Sequence, residues 1–115
     1  MDNHLPRFTR LAAAVARRVA PTSSRFAQTT HAPAAMLAAL LLRERLRLTY
    51  RGLEDLLRLS SPPRRALGLR AVPDHSTLWW FARRHASPAM LDAALAETVR
   101  LARGGTGRAD QVALD

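Results

Sequence analysis

The chain has 115 residues, 48% of them hydrophobic and none of them cysteine; this suits one small domain with a modest core, excludes disulfide scaffolds and cysteine-based zinc fingers, and fits a reducing interior. All 18 basic residues are arginine and the formal net charge is +9, so the expected partner is a polyanion, either nucleic acid or an anionic membrane surface. The longest apolar run, Ala32 to Leu42, is about half of the ~20 residues that a membrane helix needs, so no bilayer-spanning segment is expected and the cytoplasm is the natural location.

From Phe8 to Val19, the apolar positions Leu11, Val15, Ala16 and Val19 make one helical stripe, which Pro21 ends. Arg17 and Arg18 interrupt any apolar core of a secretory signal there. Thr22 to His31 is polar and reads as a loop. Pro33 suits the first position of a second helix, whose stripe is Met36, Leu37, Leu40, Leu41 and Leu48, with Arg43, Glu44, Arg45 and Arg47 facing outward. Thr49 can cap a third helix carrying Leu53, Leu56 and Leu57, which the run "SSPP" stops. A short helical turn over Arg64 to Leu67 is closed by Gly68. A fourth full helix starts at Asp74 or His75, and a fifth opens on Ser87 and Pro88 with Leu91, Ala94, Leu95, Thr98 and Ala102 on one face. Asp92 near its start and Arg100 and Arg103 near its end complement the helix dipole. "GGTGR" is a cap and linker, lacking the Lys-Ser/Thr of a phosphate-binding loop, and "QVALD" reads as the opening of a buried strand. The fold class is therefore all-α, a small bundle of about five helices with a helix-turn-helix-like unit. The strict helix-turn-helix template is not met, because Ser60 to Pro73 is far longer than the few residues of its turn.

The stretch "VPDHSTLWWFARRH" carries the chemistry. At about 100° per residue, Leu78, Phe81, Ala82 and His85 gather on one side. Ser76, Thr77, Trp80, Arg83 and Arg84 gather on the other, with Trp79 at the border. Asp74 can accept a hydrogen bond from the free amides of the first turn, and Pro73 discourages any earlier start. Arg83 and Arg84 can bond phosphates or base edges. Ser76 and Thr77 sit at a helix N-terminus, where phosphate is favoured, and Trp80 can stack on a sugar or a splayed base. Arg64, Arg65 and Arg70 extend this as a phosphate rail. The competing reading has both tryptophans packed against neighbouring helices and the arginines merely solvated. His75 and His85 read as partly buried structural histidines rather than metal ligands.

From Phe26, the residues "FAQTTHAPAAMLAALLLRERLRLTYRGLEDLLRLSSPPRRALGLRAVPDHSTLWWFARRH" resemble the N-terminal region of bacterial insertion-sequence transposases whose catalytic domain is of the DDE, ribonuclease-H-like kind. In that family a helical segment ending "L.YRGL..LL", then "R.ALGL..VP..STL...ARR", precedes a strand reading like "ALDSTG". The aspartate of that strand is the first of a metal-binding acidic triad, and "VALD" puts Asp115 in its place.

The resemblance implies an N-terminal helix and loop over 1–33, a helical DNA-binding domain over 34–103, a linker over 104–109 and the truncated first strand of a catalytic domain over 110–115. It implies double-stranded DNA at the element ends as partner, in a bacterial, nucleoid-associated setting with no membrane. In the complete family three carboxylates hold two divalent ions, Mg2+ or Mn2+, for in-line phosphoryl transfer. Asp115 alone, as catalytic residue and metal ligand, cannot build that site, so the chain by itself is expected to need no cofactor, to bind DNA and not to cut it. Two alternatives remain open: a freestanding small DNA-binding regulator, and an interaction module that pairs with full-length transposase and inhibits it.

Overall fold

Eight consecutive residues, Ala35 to Leu42, are buried on every side of one helix, and the rest of the molecule is arranged around them. In a computed structural model, which describes residues 4–20 and 31–104, the chain forms α1 (His4–Val19), α2 (Pro33–Leu46), α3 (Tyr50–Leu59), α4 (Ser61–Leu67), α5 (His75–His85) and α6 (Pro88–Arg103). Among the described residues there is no strand; the expected strand at 110–115 lies outside them. The all-α class therefore holds.

A helix apolar all round must be covered all round, and α2 contacts every other helix. The expected single stripe on this helix is thereby corrected: Ala38 and Ala39 are as buried as Leu37 and Leu41, and their small side chains fit between close neighbours. Leu48 does not belong to the helix at all. Arg47 takes a left-handed conformation (φ 58°), its N–H reaches the Glu44 carbonyl at 3.3 Å, and the Leu48 N–H returns to the Arg43 carbonyl at 3.0 Å. This is a Schellman closure with leucine as the apolar residue that follows.

The same closure recurs after α4, where Gly68 (φ 84°) takes the left-handed position and the Leu69 N–H bonds the Arg64 carbonyl at 3.1 Å. At Gly68 no Cβ penalty arises. At Arg47 an L side chain bears a cost of about 1–2 kcal/mol.

Three N-caps follow from hydroxyl or carboxylate side chains placed just before each helix. Thr49 Oγ1 accepts from the Gly52 N–H at 2.9 Å, Asp74 Oδ1 from the Thr77 N–H at 2.8 Å, and Ser87 Oγ from the Met90 N–H at 3.2 Å. Each such cap contributes about 1 kcal/mol.

The expected short turn over Arg64 to Leu67 is corrected to a full two-turn helix beginning at Ser61. Pro62 and Pro63 stand in its first turn, where the missing N–H groups had no intrahelical acceptor anyway. Ser60 closes the end of α3 and stands directly before α4, with no hydrogen bond from its side chain to the first turn, so "SSPP" both stops one helix and starts the next.

On α1, Phe8, Leu11, Ala12, Val15 and Ala16 are buried, whereas Val19, expected in the stripe, is 44% exposed. The helix also begins at His4, a full turn before Phe8. Arg7 donates to the Ala102 carbonyl at 2.9 Å, tying α1 to the end of α6, where the dipole favours a cation. Leu53 and Leu57 of α3 and Leu78 of α5 complete the centre.

Candidate nucleic-acid interface

The inner face of α5 is set by Leu78, Phe81 and Ala82, all buried, and the helix packs on α3 and α2. What remains outside is the polar face together with both tryptophans. Trp79 is 39% and Trp80 51% exposed, so neither is buried against a neighbouring helix.

The spacing i to i+4 places a guanidinium over each ring. Arg83 lies 4.9 Å from the Trp79 centroid and Arg84 5.4 Å from that of Trp80, while the two indoles meet edge to face at 4.8 Å. Each guanidinium is thus within cation–π reach of an indole, and among the described residues no carboxylate or carbonyl engages its N–H groups.

Other arginines are already engaged. Arg43 pairs with Glu44 at 2.8 Å and stacks over Tyr50 at 4.0 Å. Arg58 pairs with Glu54 at 2.8 Å and Arg100 with Glu97 at 2.7 Å. Among the described residues no carboxylate pairs with Arg83 or Arg84.

The start of α5 is pinned to α3 by Glu54. Its Oε1 accepts the His75 backbone N–H at 2.9 Å and meets His75 Nδ1 at 2.9 Å, while Oε2 accepts from Arg58 Nε at 2.8 Å. These hydrogen bonds, from the His75 side chain first, then its backbone N–H, then Arg58, hold the Glu54 carboxyl at a pKa of about 2 against its ordinary 4.5. The Thr77 backbone N–H, and then its side chain, likewise lower Asp74.

A depressed carboxyl contributes stability that is complete above its unfolded pKa and lost as pH falls through the folded one. The thermal midpoint should therefore drop as pH falls from about 4.5 towards about 2. Glu54→Gln should shallow that acid limb, leaving the part due to Asp74 and Glu97, whose carboxyls are also lowered. Matching acid limbs in melting curves of the two proteins would remove Glu54 from the account.

Ser76 and Thr77 are exposed on the first turn, but the amides of His75 and Thr77 beside them are taken by the Glu54 and Asp74 carboxylates. Negative charge thus stands at this helix end, and the cationic end of α5 is its last turn, with Arg83, Arg84 and His85.

Arg65 and Arg70 are exposed. Arg64 is half-buried, and its guanidinium donates to the Leu57 carbonyl at 3.1 Å, joining α4 to the end of α3. The helix carrying Arg64 and Arg65 packs on α1, α3 and α2. His85 lies against Phe81 with ring centroids 5.1 Å apart.

Sequence reasoning missed Glu54, whose partner is 21 positions away, and the Arg43–Tyr50 stack. It had the signal for the two arginine–tryptophan couples in the i, i+4 spacing.

Among the described residues no group of three or more His, Cys, Asp or Glu could hold a metal ion. Asp115 lies outside the described residues, and the described carboxylates alone do not assemble a divalent-ion site. Among the described residues, too, no helix is long and apolar enough to cross a membrane.

No curated protein and no solved structure matches the chain. A family model described as Transposase domain (DUF772) matches residues 1–84, a span that runs from the N-terminus through α1–α4 to the Arg83–Arg84 pair of α5. On that match, the protein belongs to the DUF772 family of transposase domains.

Proposed function

We propose that this protein is the DNA-binding helical region of a DDE-type transposase, docking on double-stranded DNA at the element ends through the outer face of α5. The observation that carries this reading is the pair of guanidinium groups on α5, Arg83 and Arg84, stacked on exposed indoles with no carboxylate partner among the described residues. Surface arginines that serve only solubility gain nothing from such restraint. Phosphate binding does, because a pre-oriented donor fork loses less side-chain freedom on contact.

In this reading Arg83 and Arg84 hold backbone phosphates, and Trp80 lies against a sugar or an unstacked base. Ser76 and Thr77 contribute hydroxyls rather than helix-end amides. Arg65 and Arg70 add charge along the approach, with Arg64 holding α4 in place beside them. Asp115 corresponds to the first acidic residue of the catalytic domain, and chemistry on DNA requires further carboxylates beyond those described. The cellular setting that follows is the bacterial nucleoid.

The test is a titration of labelled duplex DNA across a series of salt concentrations. With about four arginine-to-phosphate contacts, log K should fall against log salt with a slope of about −3 to −4. Absence of binding at low ionic strength would overturn the proposal and favour a protein-interaction module. Affinity indifferent to salt would overturn it as well.

A further inference from the structure

A second feature adjoins α5 on the side of Trp79. The outer flank of α5, the start of α6 and the junction of α2 with α3 enclose an open cleft of about 590 Å³ lined by Trp79, Arg83, Tyr50, Glu44 and Asp92, among others. Its lining combines two aromatic rings, two carboxylates and the Arg83 guanidinium.

The two carboxylates differ. Glu44 is already paired with Arg43 at 2.8 Å, whereas Asp92 is exposed and has no ion pair among the described residues. With Glu44 neutralised by Arg43, the one carboxylate of the cleft without an ion pair among the described residues is Asp92, which disfavours a phosphate beside it and leaves that group to Arg83. What fits inside is a flat, uncharged ring that offers hydrogen-bond donors at its edge.

We propose that this cleft receives a single unpaired nucleobase, guanine by preference, lying against the sides of the Trp79 and Tyr50 rings that Arg83 and Arg43 do not cover, with Asp92 reading its edge and Arg83 holding the attached phosphate. Guanine is the base whose N1–H and N2–H donors stand side by side, matching the two oxygens of one carboxylate. Thymine offers a single N3–H between two carbonyl oxygens, which the carboxylate repels. Aromatic stacking accepts any base and contributes affinity without choice, so the discrimination falls to Asp92. The proposal rests on the DNA-binding reading of α5 and adds to it a base-specific subsite.

The experiment compares fluorescence anisotropy titrations of labelled oligo(dT) with those of an equal-length oligo(dT) carrying one central dG, near neutral pH. Both strands carry the same phosphate charge, so the electrostatic contribution cancels. The dG strand should bind about tenfold more tightly, the discrimination of one good two-point base contact. Asp92→Asn should abolish the preference without weakening oligo(dT), since the amide has one acceptor and lacks the negative charge. Asp55→Asn, the same charge change at an exposed position outside the cleft, should retain it.

Equal affinity for the two strands, or a preference that survives Asp92→Asn, overturns the subsite while leaving duplex binding intact. Failure to bind duplex as well as single strands removes the subsite together with the reading on which it rests.

Discussion

Replacing Arg83 and Arg84 together with alanine should lower affinity for duplex DNA on the order of a hundredfold and reduce the salt slope by about two units. The same double change at Arg17 and Arg18, exposed in the last turn of α1, should leave the slope nearly unchanged. Both double variants lose the same formal charge. A protein that held DNA by diffuse attraction would therefore respond equally to the two, and that result would defeat the assignment of α5. The expected difference comes from restraint: each α5 guanidinium lies over an indole and so loses less side-chain freedom when it meets a phosphate.

The tryptophans supply an internal check. Trp80→Ala should weaken binding less than loss of either arginine, because it removes a platform and a stacking surface but no charge. Its salt slope should stay close to that of the unaltered protein.

Much of the positioning of this face is local and therefore readable in the amino-acid sequence. Asp74, Thr49 and Ser87 each stand one residue before a helix, and all three cap as their chemistry dictates. The buried Leu78, Phe81 and Ala82 follow from the 3.6-residue period.

The features that escaped are of two physical kinds. Some depend on residues that serve two ends equally well. Alanine suits a surface or a tightly packed centre, which concealed the encirclement of α2, and proline both forbids a preceding helix and favours a first turn, which concealed α4. Others depend on tertiary pairing. The Glu54 carboxylate meets a backbone amide 21 positions away, and no local spacing announces it. Arg47 adopts a left-handed conformation in which glycine is expected, which is why Leu48 read as part of α2.

The largest stability effect is expected in the middle of α2. Leu41→Ala should destabilise the protein by about 2–5 kcal/mol, the usual range for truncating a fully buried leucine where neighbours cannot collapse into the gap. Leu41 has no exposed surface, and α2 is surrounded by five helices that are themselves fixed by caps and by each other. Leu59→Ala provides the contrast: the residue is as apolar but 85% exposed at the end of α3, and its loss should stay within about 0.5 kcal/mol. Denaturant unfolding monitored by tryptophan emission measures both.

The comparison bears on function because α2 packs against both α5 and α6, so the same core seats the helix proposed to meet DNA and the opposite wall of the cleft. In Leu41→Ala, DNA affinity per folded molecule should hold under conditions where the domain stays folded, and apparent affinity should fall only as unfolding sets in. A loss of affinity in fully folded Leu41→Ala would mean that the core sets the angle of α5 and does more than support it. A cost below about 1 kcal/mol would mean that α2 is not the centre of the fold.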